Sequence, residues 1–124
     1  MIVNFTRLYA DEAGESHFAE LVALTTDVEF APSAPPLQLF SFAMAEEVFY
    51  FRAPSGWQSD WHPSSNRNLF AVMTGLWEVT ASDGETRRFG AGSILFVEDT
   101  TGKGHTSRVI SAEDSLSMLA RLPV

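Results

Sequence analysis

The sequence predicts an all-β domain, a sandwich or barrel of short strands. Three observations carry this. Short apolar runs are separated throughout by Gly, Pro, Asp and Ser. Few segments sustain the 3.6-residue period of an amphipathic helix. Phe and Val, which suit pleated surfaces, recur, with 10 Phe among 124 residues. The length suits one domain with one hydrophobic core. A hydrophobic share of 45% against 19% charged is a globular balance that argues against disorder.

Taken in order, Ile2 to Tyr9 reads as a first strand, and Asp11 to Ser16, with Gly14, as a loop. His17 to Phe30 is ambiguous: Ala19, Glu20, Leu21, Ala23 and Leu24 allow a short helix, whereas Thr25, Thr26 and Val28 favour extension. Pro32, Pro35 and Pro36 make residues 31–37 an irregular or edge segment, because proline cannot donate to a ladder. Residues 1–47 are therefore expected as an N-terminal extension that crosses a homodimer interface, ahead of a core barrel over residues 48–120. Within that barrel, strands are expected at Val48 to Arg52, Leu69 to Thr74, Trp77 to Ala81, Glu85 to Phe89, Ser93 to Val97, His105 to Ile110 and Ser115 to Ala120. Ser82-Asp83-Gly84 marks a hairpin, expected as a type I′ turn with Asp83 and Gly84 both at positive φ. From Leu69 to Met73 both faces are apolar, so both should be covered.

Composition narrows the function. No cysteine is present, which excludes disulfides, thiolate-bound metals and thiol catalysis, and fits a reducing compartment. A formal charge of −8 opposes binding to nucleic acid. Neither a leader of signal-peptide type nor an apolar run of membrane-spanning length is seen, so the expected setting is cytoplasmic, without membrane association.

The chemistry-bearing residues gather around two glycine–histidine segments. Gly56, His62 and Gly75 fit a pattern of glycine, five residues, His-x-His, three or four residues, Glu, six residues, glycine, with Ser64 at the second histidine and Asn68 at the glutamate. Gly92, Gly102 and His105 fit a second pattern of glycine, five residues, Pro-x-Gly, two residues, His, three residues, Asn. Here Glu98 replaces the proline, the loop is two residues longer, and Val109 stands for the asparagine. From Val48 to about Ala120 the chain thereby resembles the cupins. The resemblance implies a small jelly-roll barrel, often a homodimer, with any active site inside. Family metal sites use both first-motif histidines, the glutamate and the second-motif histidine. It thus implies one divalent transition metal (Zn, Mn, Fe or Ni) on His62 and His105, with Asn68 as a third, weak ligand. A zinc-like ion usually takes three or four protein ligands, so Glu98, Asp99 or His17 would have to strengthen this neutral set.

Alternatives stand beside this. His62 and His105 can serve as an acid/base pair or as hydrogen-bonding groups for an organic ligand, because imidazole titrates near neutral pH. Ser64, two residues from His62 on an extended chain, should share its cavity. Asn68 can bond a ligand or satisfy backbone. Arg52 can clamp a carboxylate or pair with an acidic neighbour. Trp61, with Trp57, can wall a ring-shaped ligand or simply pack. His17 is expected solvated, in a polar loop. At most one of Arg87 and Arg88 should face the interior. Gly102-Lys103-Gly104 lacks phosphate-loop spacing, and no nucleophile elbow is present. Three readings follow: a metal-assisted or histidine acid/base enzyme acting on a small organic molecule, a metal-free small-molecule binding barrel, and an interaction module. The changed ligand positions favour the second over a standard metal enzyme, and the two retained histidines favour the first over the third.

Overall fold

A computed structural model describes all of residues 1–124. Eleven strands form, with no helix: β1 (Ile2–Ala10), β2 (Ser16–Leu24), β3 (Thr26–Val28), β4 (Leu37–Leu39), β5 (Glu47–Ala53), β6 (Asn68–Val72), β7 (Trp77–Ala81), β8 (Thr86–Phe89), β9 (Ile94–Glu98), β10 (His105–Val109) and β11 (Ser115–Arg121). They build a six-stranded sheet in the order β2-β1-β9-β6-β11-β5, a three-stranded sheet β10-β7-β8, and a short β3-β4 ribbon. The stretch before β6 extends the smaller sheet through antiparallel bridges from Gln58 to Arg108 and from His62 to His105.

The ambiguous segment after the first loop is a strand. Every residue of β2 is registered against β1, from Ala10–Ser16 to Ile2–Leu24, and that pairing overrides the weak helical preference of its Ala, Glu and Leu. The first 47 residues are also not an appendage. β1 lies inside the large sheet, and its parallel pairing with β9 sets Thr6 against Leu95. Leu8 and Phe18 belong to the main core with Phe70, Val72, Trp77, Val79, Phe89 and Leu95. Only the β3-β4 ribbon pairs with neither main sheet.

Both faces of β6 are covered. Phe70 and Val72 enter the core between the sheets. Leu69 joins an outer cluster with Phe5, Phe96 and Leu122, on which Phe40 and Phe42 pack. Phe42 meets Phe5 edge-on with centroids 4.9 Å apart. The β7–β8 hairpin differs from the expected type I′ turn. Gly84 has φ +95°, but Asp83 is not at positive φ. Gly84 N–H donates to Ala81 C=O and Ala81 N–H to Glu85 C=O. This is a three-residue loop in which glycine alone takes the left-handed position.

Candidate functional site

Four of the expected residues converge. His62, Ser64, Asn68 and His105 line one cavity of about 200 Å³ between the sheets, with Phe51, Trp57, Phe70, Trp77, Val79, Leu95, Val97 and Leu119 as its apolar walls and Ser107 as a further polar group. The fold explains the convergence. The bridge to His105 lays His62 beside the first residue of β10, with His62 N–H donating to His105 C=O (3.1 Å) and His105 N–H returning to His62 C=O (3.0 Å). Their ring centroids are 4.8 Å apart. Gly104, at φ +74°, permits this approach, since a Cβ there would strike the backbone of His62 and Pro63.

The two imidazoles are held differently. His62 lies at the exposed rim, with Nδ1 2.8 Å from the Asp60 carbonyl oxygen, so Nδ1–H donates there. His105 is buried, with Nδ1 2.5 Å from Oδ2 of Asp99. Asp99 is wholly buried, and its other oxygen, Oδ1, has no hydrogen-bond partner. In both rings Nδ1 is engaged, which leaves Nε2 as the nitrogen available to a ligand when the ring is neutral. Asn68 donates from Nδ2 to Ser64 Oγ (3.1 Å), and Ser64 Oγ–H donates to the Asn66 carbonyl (2.5 Å).

The other expected contacts lie elsewhere. Arg52 is on the outer face of β5, exposed, and pairs with Asp114 at 2.8 Å. Its strand parity is opposite to that of Phe51 and Ala53, which face the core. Trp61 is 54% exposed and does not line the cavity, whereas Trp57 does, edge-on to Trp77 at 5.6 Å. Neither Arg87 nor Arg88 reaches it: Arg87 pairs with Glu20 and Glu85, and Arg88 with Glu78. His17 is not simply solvated. Its ring lies between Asp11 (2.8 Å) and Asp83 (2.9 Å), and the bond to Asp11 raises its pKa, with Asp83 acting in the same sense.

The residues do not fit a tightly held transition metal. No group of three or more His, Asp or Glu side chains is disposed to hold an ion. Asp99 binds His105 from behind, Glu98 pairs with Arg7 and Arg67, and His17 is held by its two aspartates. The expected set of His62, His105 and Asn68 thus gains no carboxylate, and its third member is a neutral amide engaged with Ser64. Ser107 is a polar site residue not foreseen, and Asp99, considered only as a possible metal ligand, is instead the hydrogen-bond partner of His105. The signal for Asp99 was its place beside Glu98 at a strand end, since adjacent extended residues face opposite ways.

No protein-family model and no curated protein matches the chain. Solved structures do. A cupin 2 conserved barrel domain protein from Salinispora arenicola superposes with TM-score 0.54 at 18% identity, over 81% of this chain and 75% of its own. An RmlC-like cupin family protein with a double-stranded β-helix fold, from Methanocaldococcus jannaschii, gives TM-score 0.53 at 18% identity over 61% and 68%. The cupin domain of Schizosaccharomyces pombe Cnp3 gives 0.51 at 20% identity over 98% and 84%. The chain spans 64% of the length of a Streptococcus pyogenes protein of unknown function that it also matches. Two glycine–histidine motifs meeting across a β10 bridge, and the superpositions on the Salinispora, Methanocaldococcus and Schizosaccharomyces structures, establish that the chain has the cupin-type double-stranded β-helix fold.

Proposed function

We propose that this protein binds a small, uncharged and largely apolar organic molecule inside the barrel, oriented by His62, His105, Asn68 and Ser107, without a resident metal ion. The observation that carries this reading is the cavity of about 200 Å³, walled mostly by aromatic and aliphatic side chains with a few polar groups among them. That is the usual composition of a small-molecule site. Trp57 and Trp77 line it, so occupancy should be visible in tryptophan emission.

The test is a fragment screen read by tryptophan fluorescence and amide chemical shifts. Binding should perturb the Trp57 and Trp77 indoles together with residues 62, 68, 105 and 107, and His105→Phe, which fills the cavity, should abolish it. Perturbations confined to residues outside the cavity would overturn the reading. Elemental analysis of protein purified without chelators tests the metal. A near-stoichiometric ion that disappears in the His62→Ala/His105→Ala double mutant would restore the metal-assisted alternative.

We also propose, independently of the ligand, a homodimer formed through the β3-β4 ribbon. Leu24, Phe30, Leu37 and Leu39 are all exposed in or beside that ribbon, and exposed large apolar side chains grouped together mark interaction surfaces. A monomer by sedimentation at micromolar concentration would remove this part.

A further inference from the structure

We propose that His105, backed by Asp99, is a general base that takes an acidic C–H proton from the molecule held in the barrel. This rests on the cavity being a ligand site, as argued above, and assigns that site an activity. The first observation is Asp99 itself. A wholly buried carboxylate with one oxygen unpartnered is a costly way to hold a histidine, because a neutral amide would do so without a buried charge. What the carboxylate adds is a negative charge directed at Nδ1 from 2.5 Å. It fixes the tautomer that leaves the Nε2 lone pair free, and it stabilises the imidazolium once a proton arrives. His62, backed only by a neutral carbonyl, lacks that support.

The second observation concerns what the base could act on. Neither cavity hydroxyl is hydrogen-bonded to an imidazole. Ser64 donates to Asn66, and the side-chain partner of Ser107 is Ser59. Without an activated nucleophile, covalent catalysis has no starting point. The base can still act directly on a proton of the bound molecule, the step that asks for no second reacting group in the cavity. The apolar walls suit an uncharged carbonyl or heteroaromatic compound whose C–H is acidified by its own substituents. In the step, Nε2 takes the proton and the C–H electron pair moves into the adjacent π system or expels a leaving group. The proton then returns to another carbon or leaves to water. The change is redox-neutral and needs no co-reactant. His105 is the catalytic residue, and Asp99 a positioning residue.

The probe is 5-nitrobenzisoxazole, a small flat molecule. Loss of its ring C–H proton opens the N–O bond and forms a nitrile and a coloured nitrophenolate. Binding is read by tryptophan quenching and turnover by absorbance. The expected result is saturable turnover in the wild type. In Asp99→Asn, kcat should fall about 100-fold or more, with KM, quenching and melting temperature maintained. His105→Gln should lose turnover while probe binding, weakened by loss of a lining group, still registers as quenching, and it serves as the second variant should Asp99→Asn fail to fold. Probe bound without turnover, or turnover equal to wild type in either variant, overturns the base while leaving the binding site standing. No quenching at any concentration overturns both.

Discussion

Glu98 and Asp99 are neighbours with opposite roles. Glu98 faces outward and bridges Arg7 (2.7 Å) and Arg67 (2.9 Å), while Asp99 turns inward to His105. Parity along an extended chain separates them. The sequence therefore showed that they would diverge, but only the β10 bridge decides which of them meets a histidine. The meeting of His62 with His105 was legible in the motif spacing. The exclusion of Arg52 and Trp61 was not, because it depends on parity in β5 and on the path of the chain before β6. Two substitutions test this scale. Leu8→Ala, at a fully buried core position, should cost about 2–5 kcal/mol in chemical denaturation. Gly104→Ala should cost more than the ~1–2 kcal/mol of a left-handed alanine, because the new Cβ also collides with the His62 backbone. Its amide exchange should show the His62–His105 bridge opening first.

Among elements, the segment carrying Phe40 and Phe42 does more than its irregular sequence suggests. It covers the outer face of the large sheet, where Phe5, Leu69 and Phe96 would otherwise meet water. Phe42→Ala should therefore destabilise by about 1–3 kcal/mol, with amide-exchange protection lost in β1 and β9 before β7 and β10. Most strands were legible because Gly, Pro and Asp punctuate apolar runs, and because the two apolar faces of β6 announced two covers. β2 was not, since its Ala19, Glu20 and Leu21 fit either period, and its pairing with β1 settles the matter from outside the segment. The hairpin turn was placed correctly but typed wrongly. Asp-Gly fits either turn, and the choice lies in the backbone of Asp83, which stays in the ordinary region.

For the whole molecule, stability should depend on pH through the barrel end where His17 joins the β1–β2 loop to the β7–β8 hairpin. The His17 pKa is raised, first by its bond to Asp11. Its contribution is thus full below the unfolded imidazole value of about 6.5 and is lost as pH rises through the higher folded value. The Asp11, Glu15 and Glu78 pKa values are lowered, chiefly by His17, Lys103 and Arg108 respectively. Their contributions are present above the ordinary carboxylate range and lost as pH falls through the lower folded values. The melting temperature should therefore be highest between roughly pH 4.5 and 6.5, and His17→Gln should flatten the alkaline limb while sparing much of the acid limb. An unchanged alkaline limb in that variant would refute the assignment. The pairing of β1 with β9 carries a different consequence, for the order in which the molecule is assembled. A chain emerging from the ribosome can close the β1–β2 hairpin early, yet β1 must wait for Leu95 and Phe96 before its second edge is filled. In the interval Leu8 and Phe18 lack most of their core, and the open edge of β1 can recruit any passing strand. Such non-local parallel closure is slow. Lowered synthesis temperature should raise the soluble yield of this protein more than that of a barrel of equal length whose neighbouring strands are all joined by hairpins.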